Sequence, residues 1–114
     1  FQPSLTLFYG DRTAELSPRS AVFRLGRDQV HSNWVVDTPV ASRAHLTIEY
    51  RRGKFVLVDH STNGTYVTMA GQEEVHLKRE EVPLVGGGRI SLGASAEKAP
   101  DMAITFEVLA PEYS

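Results

Sequence analysis

Apolar residues in this chain recur at every second position over short stretches, the period of a strand with one buried face. LTLFY at 5–9 and RTAEL at 12–16 alternate in this way around Gly10-Asp11, and together they predict a first hairpin. Ser17-Pro18-Arg19-Ser20 breaks the pattern. AVFRLGR at 21–27 then gives a third strand, and Trp34-Val35-Val36 a fourth that is only about 10 Å long at the usual rise. HLTIEYR (45–51) and KFVLVDH (54–60), separated by a short turn containing Gly53, form a central antiparallel hairpin. Leu46, Ile48 and Tyr50 share one face of its first strand, and His45, Thr47 and Glu49 the other. Phe55 to Val58 is apolar at every position, which predicts an interior strand covered on both sides.

Beyond the hairpin, Thr65 to Thr68 starts another strand. Val75 and Leu77 alternate with polar neighbours in EEVHLK and predict an added or lengthened hairpin. Lys78 to Glu81 is charged and expected in solvent. Gly86-Gly87-Gly88 reads as a turn before the strand Arg89 to Leu92, since neither Lys-Ser/Thr nor a helix follows as a phosphate-cradling loop would require. Residues 93–100 (GASAEKAP) are expected to form a mobile loop. AITFEVL at 103–109 closes the sheet with Ile104, Phe106 and Val108 on one face, and 110–114 is expected to fray. No segment of a dozen residues holds a 3.6-residue apolar period, so the fold class is all-β: a sandwich of two antiparallel sheets with about eleven short strands.

A length of 114 residues fits one domain, 1–114, and the chain begins at Phe1, which suggests a piece of a longer multidomain protein. No apolar run approaches the ~20 residues that span a membrane. A formal net charge of -2 gives no overall basic field for nucleic acid. The absence of cysteine removes disulfides, thiolate metal sites and cysteine nucleophiles, and suits a cytoplasmic location. His31, His45, His60 and His76 lack metal-ligand spacing, so neither a metal nor a cofactor is expected.

Geometry narrows the chemistry further. Because the second strand of the central hairpin runs back beside the first, Ser42 and Arg43 before it meet Ser61 to Thr65 after it. The short strand at 34–36 lets the chain leave that same end at Arg27 and return to it by Ser42, with Pro39 discouraging further pairing. Ser, Arg, Thr, Asn and Gly at one end supply hydroxyl, guanidinium and amide donors on a pliant backbone, which is an inventory for holding an anion. Arg51, Arg52 and Lys54 lie at the opposite end, about 20 Å away by strand rise, and read as a solvated turn.

Three motifs stand in order: Gly26-Arg27, Ser42-Arg43-Ala44-His45, and Asp59-His60-Ser61-Thr62-Asn63-Gly64-Thr65. In this the chain resembles the forkhead-associated (FHA) domains, phosphopeptide-binding β-sandwiches, from its first strands to about Val108. The resemblance implies a non-catalytic reader of phosphothreonine, in a partner protein or in its own longer chain. It assigns Arg27, Ser42, Arg43, Thr62 and Asn63 to the phosphopeptide, and Gly26, His45 and Gly64 to support of the site. Gly88 departs from relatives that carry an aspartate beside the last glycine of this turn, so a looser turn is expected. The lengthened Thr68 to Leu92 region and the run YRRGKFVLVDHSTNGTYV are similar to FHA domains attached to bacterial adenylate or guanylate cyclases. Two other readings compete. One is a phosphate-independent interaction or dimerisation module on the same sandwich. The other is a small hydrolase using Ser42 and His45, which requires those side chains to meet in an open pocket beside an orienting carboxylate.

Overall fold

The computed structural model describes residues 2–110, so most of the expected frayed tail at 110–114 lies outside the described residues. In chain order the strands are β1 (Ser4–Tyr9), β2 (Arg12–Leu16), β3 (Phe23–Gly26), β4 (Trp34–Val35), β5 (Leu46–Arg51), β6 (Lys54–Asp59), β7 (Thr65–Met69), β8 (Val75–Leu77), β9 (Glu81–Pro83), β10 (Gly87–Leu92) and β11 (Ile104–Leu109). They form a six-stranded sheet ordered β2-β1-β11-β10-β7-β8 and a five-stranded sheet ordered β4-β3-β5-β6-β9. A 3-10 turn at Pro100–Met102 is the one helical element among the described residues. The all-β sandwich therefore stands as read from the alternation, with one parallel pair, β3 with β4, among antiparallel neighbours.

Alternation decides what fills the space between the sheets. Leu5, Leu7, Val67, Ile90, Leu92, Ile104 and Phe106 face inward from the first sheet, and Leu25, Leu46, Ile48, Phe55 and Leu57 from the second. Trp34 seals one margin, with the Phe23 ring edge-on to it at 5.5 Å. Each fully buried side chain of this size contributes roughly 1.5–3 kcal/mol by transfer from water.

At four places the structure corrects or adds to the expectations. β6 is not covered on both sides: Phe55 and Leu57 enter the core, while Val56 is buried outside the core cluster and Val58 is half-exposed. Its outer face is shielded by neighbours in register, Glu49 and Pro83 beside Val56, Thr47 and Glu81 beside Val58. The stretch 78–81 is exposed, yet Glu81 opens the edge strand β9 against β6, which the charged sequence concealed. At the Gly86–Gly88 turn, a side chain on Gly88 would collide with the Thr68 carbonyl and the Phe106 ring. Glycine there is demanded by close packing between β7 and β11, and Gly88 lies inside β10, paired in register with Met69 and Phe106, and not in the turn. In the loop at 93–100, Ala96 is fully buried and its N–H donates to the Glu74 carboxylate at 3.3 Å.

Candidate functional site

The sheet topology brings three connections to one end: β3 to β4 (27–33), β4 to β5 (36–45) and β6 to β7 (60–64). Backbone bonds fasten the first two together. Leu25 C=O accepts from His45 N–H (3.0 Å), Ser42 C=O from Arg27 N–H (2.9 Å), and Arg43 C=O from Asp28 N–H (3.2 Å). Such close approach needs glycine at 26, because a Cβ there would strike the Arg43 carbonyl. Arg27 is thereby held beside Ser42 with its side chain exposed.

The third loop is pinned from beneath. The His45 ring is fully buried, and both its nitrogens are used: Nδ1 accepts the Ser42 N–H at 2.9 Å, and Nε2–H donates to the Gly64 carbonyl at 2.9 Å. Because Nδ1 faces a donor, the ring must be the neutral Nε2–H tautomer. Burial lowers its pKa below the ordinary 6.5, against the opposing pull of the Gly64 carbonyl and the Asp59 charge. One neutral imidazole thus joins the Ser42 loop to the Gly64 loop.

Asp59 anchors the other side of the same loop. Its Oδ1 accepts the Ser61 hydroxyl (2.7 Å) and the Thr65 hydroxyl (2.6 Å), and its Oδ2 accepts the Arg79 N–H (2.9 Å). Burial raises the Asp59 pKa, but the hydrogen bonds from Thr65, Arg79 and Ser61 outweigh it and hold the carboxyl below the usual carboxylate range. Arg79 Nε also donates to the Ser61 carbonyl at 2.8 Å. Gly64, at φ +89°, packs so closely under the His76 ring that no Cβ would fit. His76 stacks on Tyr66 and donates through Nε2 to the Asn63 carbonyl at 2.9 Å.

On this base sit the exposed polar groups. Ser42 Oγ accepts the Thr62 N–H at 3.1 Å, which leaves the hydroxyl hydrogen available to an incoming acceptor. Thr62 and Asn63 are exposed. The Asn63 amide nitrogen donates to the Val40 carbonyl at 3.0 Å, so one of its hydrogens is spent on the neighbouring loop. Arg27 and Arg43 are exposed and make no salt bridge among the described residues. Arg51, at the far end of β5, is paired with Glu49 (2.9 Å) and Glu81 (2.8 Å). Arg27, Ser42, Thr62 and Asn63 are thus brought together, and the 51–54 turn is kept apart.

The Ser42/His45 hydrolase geometry fails. Neither ring nitrogen is free for Ser42 Oγ, the ring is sealed in the sandwich, and the nearest carboxylate oxygen, Asp59 Oδ1, stands 3.8 Å from Nε2. Sequence reasoning missed Asp59, Ser61, Thr65, Arg79 and His76 as supports. Asp59 was open to discovery, being a lone carboxylate at the end of the apolar run FVLVD; Arg79 and His76 carry no local signal.

The FHA domain family model matches residues 23–93, which includes every residue of the three motifs. No curated protein sequence matches the chain. Among solved structures, the chain is similar to FHA-1 of Rv1747 from Mycobacterium tuberculosis, at 27% identity over 95% of this chain and 98% of that one, with a TM-score of 0.69. It is also similar to Mycobacterium tuberculosis EmbR in complex with a low-affinity phosphopeptide: 25% identity, TM-score 0.65, covering 99% of this chain and 26% of EmbR. A third similar structure comes from an analysis of phosphothreonine-dependent FHA domain interactions: 27% identity, TM-score 0.61, covering 98% of this chain and all of that one.

Proposed function

The chain belongs to the FHA family, and from that premise we propose that it binds phosphothreonine-containing peptides as a non-catalytic regulatory module. The observation that carries the reading is the convergence of Arg27, Ser42 and Thr62 on one rigid end, joined by the 2.9 Å Arg27–Ser42 and 3.1 Å Thr62–Ser42 bonds. A phosphate presents about -1.5 to -2 charges and three acceptor oxygens. Arg27 supplies a permanent charge with paired donors, the Ser42 and Thr62 hydroxyls rotate to the remaining oxygens, and Arg43 assists at the phosphate or at a nearby ligand carboxylate. Asn63 retains one Nδ2 hydrogen and its side-chain Oδ1 for the peptide backbone, an arrangement that favours an extended ligand. Phosphopeptide binding by EmbR supports the same reading.

Within the family we assign the chain to the FHA domains carried by bacterial adenylate or guanylate cyclases, on the lengthened β7–β10 region and the run from Tyr50 to Val67. It would then sit in the cytoplasm as one domain of a longer protein and recruit a phosphorylated partner, or a phosphorylated segment of its own chain. Sequencing the parent chain for a cyclase domain tests that assignment. Calorimetric titration with an oriented phosphothreonine peptide library, and with the same peptides unphosphorylated, tests the binding function. Equal affinity for both sets would instead favour a phosphate-independent interaction module.

A further inference from the structure

A cavity of about 650 Å³ opens on the outer face of the five-stranded sheet, beside the site just described. Its floor is the paired stretch of β3 and β5, where Arg24 stands in register with Thr47. Leu25, the neighbour of Arg24, points into the core, so strand alternation sends the Arg24 side chain outward. Two bonds between Arg24 and Asn33 fix the strand at this point: Arg24 N–H to Asn33 Oδ1 at 2.7 Å, and Asn33 N–H to the Arg24 carbonyl at 2.8 Å. One wall is the β3–β4 loop with Asp28 and His31; the other holds His60, whose Nε2 lies 3.1 Å from Thr47 Oγ1. Arg43 lines the cavity as well, and it follows Ser42 directly in the chain, so the cavity adjoins the proposed phosphate site.

The charge in this cavity is one-sided. Arg24 and Arg43 make no salt bridge among the described residues. The single carboxylate, Asp28, is already engaged by the Val30 N–H (2.9 Å) and by His31 Nδ1 (2.6 Å). Two guanidiniums without a carboxylate partner, beside two imidazoles and a hydroxyl, match an anionic side chain.

We infer that this groove is a second subsite for the same ligand, taking an anionic side chain, carboxylate or phosphate, within about four residues of the phosphothreonine. The distance follows from Arg43, next to Ser42 in the chain, and Thr47, four residues along at no more than about 3.4 Å each, the same rise as an extended ligand; both line the groove. The inference rests on the proposed phosphothreonine reading. It adds an Arg24-dependent preference for acidic sequence on one flank, and Arg24 lies outside the phosphate loops.

The test uses the folded domain and labelled phosphothreonine peptides, otherwise of alanine and glycine, with one glutamate placed in turn at each position up to four residues on either side. One flank position should tighten binding about three- to tenfold, the range for a partly exposed charge-assisted contact. Arg24→Ala should abolish that gain while leaving the affinity of the glutamate-free phosphopeptide unchanged. Phosphoserine at the responsive position, in place of glutamate, shows whether carboxylate or phosphate is the better occupant. A flat scan with phosphothreonine binding intact overturns the subsite alone, as does a loss in Arg24→Ala that is equal for all peptides. Failure of every phosphopeptide to bind the folded domain overturns the functional reading and the subsite with it.

Discussion

Protonating His45 should unfasten the site, because each ring nitrogen holds a different loop. In the neutral ring Nδ1 accepts the Ser42 N–H and Nε2–H donates to the Gly64 carbonyl. A proton on Nδ1 would set one donor against another inside a fully buried pocket. The folded pKa is depressed below the unfolded value near 6.5, so the unfolded chain takes up the proton first. Stability from this residue is therefore complete above about pH 6.5 and falls as pH drops towards the folded pKa, with a slope of up to about 1.4 kcal/mol per pH unit. Urea unfolding at pH 7.5, 6.5 and 5.5 measures it, with His45→Gln as the variant that cannot titrate. The variant should be less stable at pH 7.5 by at least about 1 kcal/mol, the cost of leaving one buried partner unsatisfied. It should also lose less between pH 6.5 and 5.5 than the wild type, since His31, His60 and His76 are common to both and cancel. Parallel pH profiles for the two proteins would refute the reasoning.

Arg27→Ala should weaken phosphopeptide binding by roughly tenfold to more than a hundredfold in calorimetry, since a charge-assisted bond is worth ~1.5–3 kcal/mol. Arg51→Ala with Arg52→Ala should change it little, and the opposite ranking would move the site to the other end of the sandwich. Matched peptides should bind several-fold better with phosphothreonine than with phosphoserine, a buried methyl being worth about 0.8 kcal/mol; equal titrations would count against the site. Gly26→Ala should lower the melting temperature, because the new methyl meets the Arg43 carbonyl and overpacking of this kind costs about 1–3 kcal/mol. Asp59→Asn should destabilise the domain at pH 7 by roughly 1–3 kcal/mol, and should remove a second acid loss that the wild type shows below about pH 3.8, where its depressed carboxyl finally protonates.

Strand alternation and turn residues made most of the sandwich legible, because a half-buried strand writes its burial into every second position. The hairpin at 45–60 could be placed with its ends correctly juxtaposed for the same reason: Leu46 opposite Asp59 and Arg51 opposite Lys54 follow once the turn is located. What escaped was whatever depends on contacts between distant segments. β9 is a charged edge strand that exists because β6 offers it an open ladder, and nothing in KREEVP announces that pairing. The burial of Val56 without a covering layer comes from side chains on the neighbouring strands. Arg79 reads as one more surface cation, yet its backbone and guanidinium each hold the 59–65 loop, 18 to 20 residues away.

The site inherits its rigidity from this hidden layer. The groups suited to a phosphate, Arg27, Ser42 and Thr62, are exposed or half-exposed, and exposed side chains on loops are ordinarily mobile. Here the loop backbones are fixed by buried bonds that no ligand touches: His45 between Ser42 and Gly64, and Asp59 between Ser61, Thr65 and Arg79. A ligand meeting preset loops loses less to ordering them, which is how a few polar contacts on an open surface can reach useful affinity. It follows that variants in the buried layer should weaken binding through the loops, in proportion to the stability they remove, whereas variants at Arg27 should weaken binding with the stability unchanged.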